Sequence, residues 1–384
     1  MKKTLIVKKI SNLWVKSFLL WGLMMVMITL GGGCSPKEDI VIGVLGTMTG
    51  ANSDLSISGR RGIEIAVDEI NNMGGVMGRE IVLRLKDDEN TVSRALDKID
   101  ECLVEGIPLI IGPYTSGMIT PIIEDVNERD VLLMGPTISA DSLSGRDDNF
   151  IRFIASTKEQ ATILVNEIGN IGLHKVMVLS DSRNAGFTDA LVENFLNLML
   201  ELQQQEIVTL RVDPSNDSEL SQALKDVEKY KPDGLFIIAS AEDVAQIAQQ
   251  LHKATFKTQL FAPLWANTPE LLRKGGDAVE GIYVLGGIDP DSTSEAYLKF
   301  SNTFEQRYGE LPTFSSLYSY ELMMALAKVM ESTRSTDPQT LKEKFVDIGN
   351  FEGLQGDLKI DSNGDNTRAY LLFRNENGEL RKVN

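Results

Sequence analysis

Twice along this chain, apolar runs of strand length alternate with segments whose apolar residues recur at helical spacing, and this alternation limits the possible folds more than any other feature. The first run is Asp39–Leu45; in the helical segment after it Ile63, Ala66, Val67 and Ile70 share one face, and Gly74-Gly75 ends that segment. Strands over Ile81–Leu85, Leu109–Gly112 and Val131–Met134 follow, separated by helices at about 91–105 and 116–129. A second series runs through Val176–Ser180, Ile207–Val212, Leu235–Ala239 and Gln259–Leu264, each with a helix between. Strands alternating with helices of this length predict a parallel sheet covered on both faces. Two series predict two α/β lobes, which suits 384 residues where one domain takes roughly 100–200.

Phe150–Ile154, between the series, and Gly281–Leu285, after the second, read as strands that carry the chain from lobe to lobe. Helical patterns at about 293–309, 315–332 and 338–347 follow without intervening strands and should return to cover the first lobe. Tyr370–Arg374 is a last strand and makes the third crossing. The expected architecture is two Rossmann-like lobes with parallel sheets joined by a three-stranded hinge, lobe 1 from 39–156 and 284–366, lobe 2 from 157–283 and 367–384.

The N-terminus reads as a targeting segment. Five lysines in the first 17 residues precede the uncharged run Phe18–Leu30 of 13 residues, shorter than the ~20 a spanning helix needs and within the roughly 7–15 of a signal peptide. Leu30-Gly31-Gly32-Gly33-Cys34-Ser35 resembles a bacterial lipobox, with Gly31 where Leu is usual. The expectation is a signal peptide over 1–33, lipidated Cys34 and a tether over 34–38, so that acyl chains would hold the protein at a membrane surface. Cys102, in a helical pattern, reads as a small core hydrophobe. The formal charge is −17 and the first 33 residues carry no acid, so the rest is more acidic still, and nucleic acid is not an expected partner.

In an open parallel sheet, ligands bind beyond the carboxyl ends of the strands. Those ends are rich in glycine and hydroxyls here: Thr49 and Ser53 after the first strand, Thr115 and Ser116 in Gly112–Gly117, and Thr137 and Ser139 in Gly135–Ala140. Hydroxyls beside unpaired N–H groups at a helix start suit an anion, and the same residue types also serve as plain helix caps. Enzyme signatures are missing: there is no phosphate-loop motif and no nucleophile elbow. His174 and His252 are the only histidines, too few for a His-based triad or zinc site, and both suit the surface; no metal and no cofactor is expected. Asp361-Ser362-Asn363-Gly364-Asp365 starts like a calcium loop, but Asn366 and Leu372 stand where that loop requires Gly and Glu, so it reads as a turn between strands.

The blocks Ile42–Gly50, Ala66–Asn71, Gly74–Arg79, Leu85–Asp88 and Ile110–Pro113, in this order and spacing, resemble the type I periplasmic binding proteins of the leucine/isoleucine/valine-binding branch, in lipoprotein form. The resemblance implies a substrate-binding protein of an ABC transporter, whose lobes close on a small molecule and whose closed form a permease recognises. It further implies that Ser116, and Ser139 with Thr137 nearby, hold a ligand carboxylate. In the second lobe this chain has Ala185 where amino-acid-binding relatives have Tyr, and Ser240 and Leu264-Trp265 where they have an aromatic and an acid. An α-ammonium therefore lacks its partner unless Glu242 or Asp243 reaches inward. Trp265 either stacks on the ligand or packs at the lobe edge. The expected ligand is a small carboxylate or amino-acid-like molecule, with a carboxylate lacking an α-amino group favoured. The alternative open at this point is a ligand sensor that docks on a membrane receptor or signalling partner.

Overall fold

The computed structural model describes residues 38–50, 53–201 and 206–383. The expected signal peptide, Cys34 and all of the tether but Glu38 lie outside the described residues.

Five parallel strands form the first sheet: β1 (Ile40–Gly46), β2 (Ile81–Asp87), β3 (Leu109–Ile111), β4 (Leu132–Gly135) and β5 (Phe150–Arg152), in the order β2-β1-β3-β4-β5. β1 is buried almost throughout, as a parallel strand covered on both faces must be, while β2 at the edge leaves Val82, Arg84 and Leu85 exposed. Helix α1 (Ser53–Asn72) buries the apolar stripe read from the sequence, and Gly74 and Gly75, both at positive φ, end it. After α2 (Val92–Val104), the single helix expected over 116–129 is instead two short ones, α3 (Ser116–Ile119) and α4 (Ile123–Asn127). Pro121 lies between them, and it can neither donate a backbone hydrogen bond nor let its ring pass the preceding turn. Cys102 is buried in this lobe's core, as expected, and desolvation pushes its thiol up to about 11.

The second sheet has β6 (Lys175–Asp181), β7 (Glu206–Val212), β8 (Gly234–Ile238), β9 (Gln259–Ala262) and β10 (Tyr283–Gly286) in parallel. Two antiparallel strands, β14 (Leu371–Glu376) and β15 (Glu379–Lys382), extend it, giving the order β15-β14-β10-β9-β8-β6-β7. Helices α5 (Thr157–Asn170), α6 (Ala185–Glu201), α7 (Asp217–Tyr230), α8 (Ala241–Lys253) and α9 (Pro269–Gly275) belong to this series. The three helices after β10 return to the first lobe as read: α10 (Glu295–Tyr308), α11 (Phe314–Thr333) and α12 (Pro338–Ile348). α11 lies so close on α1 that a Cβ on Gly62 would meet the Ser316 carbonyl oxygen at 2.0 Å. A small antiparallel sheet of β11 (Asn350–Gly353), β12 (Gly356–Ile360) and β13 (Asn366–Thr367) follows, and Asp361–Asp365 is the turn between β12 and β13.

The chain passes between the sheets three times, after β5, after β10 and before β14. The crossings are tied to their surroundings: the Tyr370 hydroxyl donates to Ala155 O at 2.7 Å, and the Tyr318 hydroxyl to Gly287 O at 3.1 Å. β10 stays in the second sheet through Gly286, so the division expected at 283/284 falls inside that strand.

Candidate functional site

The loops that end β3, β4, β6 and β9 converge on one small cavity. Its first-lobe wall is set by close backbone packing: Gly112 sits at φ +120°, where a Cβ would come within 1.9 Å of Leu45 O, so only glycine lets the chain after β3 turn here. That turn delivers Tyr114, Thr115 and Ser116. Thr137 Oγ1 donates to Tyr114 O at 2.5 Å and so fixes the loop after β4 against the loop after β3. Ser116 and Ser139 are both buried and line the cavity, and neither hydroxyl has a hydrogen-bond partner among the described residues. Leu55, Ile154 and Phe314 complete this side.

The facing wall is Gln160, Asn184, Phe187, Leu264 and Trp265. An ion cluster sets the loop after β6: Arg183 pairs with Asp181 at 2.7 Å and with Asp243. Its neighbour Asn184 accepts a hydrogen bond from Gly117 N at 2.8 Å, joining the two lobes directly. Gln160 Oε1 accepts from Leu264 N at 3.2 Å and steadies the loop after β9. Trp265 meets Phe187 edge-on at 5.8 Å between ring centroids, is 5% exposed, and its buried Nε1 has no partner. No charged side chain lines this cavity, and its volume is about 20 Å³, room for about one water molecule.

Five of the residues expected from the sequence therefore come together: Thr115, Ser116, Thr137, Ser139 and Trp265. The other four do not. Thr49 is exposed, with its hydroxyl donating to Asp87 at 2.8 Å. Ala185 starts α6 beside the cavity, while its neighbours Asn184 and Phe187 form the wall. Ser53 and Ser240 line a separate outer chamber of about 320 Å³. The Ser240 hydroxyl is engaged by Asp243 at 2.7 Å as it caps α8. Neither acid considered as an inward-reaching partner lines the cavity: Asp243 pairs with Arg183 and Glu242 with Lys274. Gln160 carried no signal in the sequence, whereas Asn184 and Phe187 sit beside a loop already singled out. Among the described residues no group of three His, Cys, Asp or Glu is placed to hold a metal ion, and no helix is long and apolar enough to cross a membrane.

Two α/β lobes meeting at strand ends in a cleft suit a binding protein, and the Periplasmic binding protein family model matches residues 39–379. The chain belongs to this family. It is 23% identical over 361 residues to the Leu/Ile/Val-binding protein homolog 1 of Brucella abortus (strain 2308), covering 93% of this chain and 95% of the relative. Its fold is similar to that of the leucine binding protein LivK from Thermotoga maritima, with a TM-score of 0.83, 26% identity, and coverage of 90% and 98%. It is also similar to that of an R. palustris ABC transporter solute binding protein in complex with benzoate, with a TM-score of 0.80, 18% identity, and coverage of 90% and 95%. Family members are exported solute-binding components of transporters and not enzymes, which agrees with the absence of catalytic motifs from the sequence.

Proposed function

We propose that this protein captures a small carboxylate lacking an α-ammonium between its two lobes and presents it to an ABC permease, held at the membrane by lipid on Cys34. The observation that carries the ligand class is the cavity wall: two unpartnered hydroxyls and an unpartnered indole N–H, with aromatic rings and no charged side chain. Hydroxyl and N–H donors stabilise a carboxylate through charge-assisted hydrogen bonds. An α-ammonium in the same cavity would be desolvated with no anion to meet it, at a cost of several kcal/mol. The aromatic faces of Tyr114, Phe187, Trp265 and Phe314 suit a flat or branched apolar body.

One lobe then takes residues 39–156 and 287–366 and the other 157–286 and 367–384, with the expected division at 283/284 moved past the end of β10, and the lobes hinge at the three crossings. Ligand enters when the lobes part, and because the cavity is only about 20 Å³ with the Asn184 to Gly117 contact made, the lobes close less far over bound ligand than they do here. Of the similar proteins, one binds leucine by its name and one holds benzoate, so ligands with and without an α-amino group both suit this architecture. Thermal unfolding of the purified protein against benzoate, aliphatic acids and branched-chain amino acids tests the assignment. Ligand at 100 times its Kd adds ~2.7 kcal/mol, so Tm should rise by several degrees with an acid of this class. A rise with the amino acids alone would refute it.

A further inference from the structure

Residues adjacent in the chain line the outer chamber and the inner cavity. Asp54 and Thr313 line the chamber, while their chain neighbours Leu55 and Phe314 line the cavity; on the facing lobe Thr268 lines the chamber three residues after Trp265. Three ion pairs surround the chamber: Arg61 with Glu310, Arg273 with Glu270, and Lys274 with Glu242. These pairs consume every basic side chain on its wall and leave one carboxylate, Asp54, without a cation. Burial holds the Asp54 carboxyl above its ordinary range, and the charge acting on it is Glu270, which repels. Thr268 faces it from the other lobe, 7% exposed, with an Oγ1 that has no partner in hydrogen-bonding geometry. Thr268 Oγ1 is buried and unpartnered beside a half-buried carboxylate that has no cation, so a cationic donor that reaches both would satisfy the hydroxyl oxygen and neutralise Asp54.

We infer that Asp54 and Thr268 form a distal subsite for a cationic N–H donor carried by the ligand, so that the transported acid bears an ammonium at the end remote from its carboxylate. The inference rests on the proposed inner carboxylate site. An ammonium seated there donates to the Asp54 carboxylate from one lobe and to Thr268 Oγ1 from the other, so the same group that neutralises Asp54 also bridges the closed lobes. A cation at the α-carbon would lie in the uncharged inner cavity; a cation several bonds away reaches the chamber.

Calorimetric titration of the purified protein with matched acids tests this: propionate against β-alanine, butyrate against γ-aminobutyrate, valerate against δ-aminovalerate, and p-toluate against p-(aminomethyl)benzoate. At one spacing the ammonium-bearing acid should bind roughly tenfold more tightly than its plain partner, the size of one charge-assisted hydrogen-bonding contact. Asp54→Asn should bring that ratio close to one, and Thr268→Val should lower it. Plain acids that bind with no gain from any terminal ammonium would overturn the subsite and leave the inner site standing, as would a gain that survives Asp54→Asn. Binding of leucine with none of the acids would overturn both.

Discussion

The Ser116 and Ser139 hydroxyls line the cavity and have no hydrogen-bond partner among the described residues, which supports the proposal that they hold ligand. Ser116→Ala and Ser139→Ala should each weaken acid binding by about tenfold, the ~1.5 kcal/mol of a hydrogen bond to a charged group, with little change in the Tm of the ligand-free protein; a large loss of Tm would mean that the hydroxyls serve the fold. Asp148 gives the opposite case. Burial pushes its carboxyl up to about 6 from an ordinary 3.8, and one of its oxygens has no partner. The native state then binds the proton more tightly than the unfolded chain, so stability falls as pH rises between those two values and the penalty is complete above them. Asp148→Asn should raise Tm at about pH 8 and leave it nearly unchanged at about pH 4; equal shifts at both would exclude titration as the cause. At this scale the sequence showed the hydroxyls, because strand-end loops are where such groups collect. Gln160 and the unpartnered Trp265 Nε1 were invisible, because their meaning comes from what the fold sets opposite them.

Among the elements, the strands of both sheets and the long helices were legible because buried parallel strands read as continuous apolar runs and covering helices keep a 3.6-residue period. The exceptions have local causes. Pro121 divides the segment read as one helix. β11, β12 and β15 are short, and β15 is mostly exposed, so neither periodicity nor length marked them. The packing of α11 on α1 was also beyond reading, since Gly62 looks like an unfavourable residue inside a helix until Ser316 is seen against it. Gly62→Ala should therefore destabilise rather than stabilise, by about 1–3 kcal/mol from overpacking, lowering Tm by several degrees. An increase in Tm would mean that the two helices separate without cost.

For the whole molecule, two lobes with an uncharged inner cavity between them agree with family membership and support the proposed choice of ligand. Three ion pairs ring the outer chamber and leave Asp54 without a cation, while the inner wall offers donors, which supports the proposed capture of a carboxylate with no cation beside it. The architecture, and the hydroxyls that come to line one cavity, were readable from strand ends; the tightness of the cavity and the lobe-to-lobe bond from Gly117 to Asn184 emerge only once both series are folded against each other. The most direct test compares leucine with 4-methylpentanoate, the same skeleton without its α-amino group, by calorimetric titration of one protein preparation. The account predicts that 4-methylpentanoate binds at least ~100-fold more tightly, the ~2.7 kcal/mol lower bound of stranding an ammonium in a cavity without anions. Leucine binding as tightly as its deaminated analogue, or more so, would contradict it.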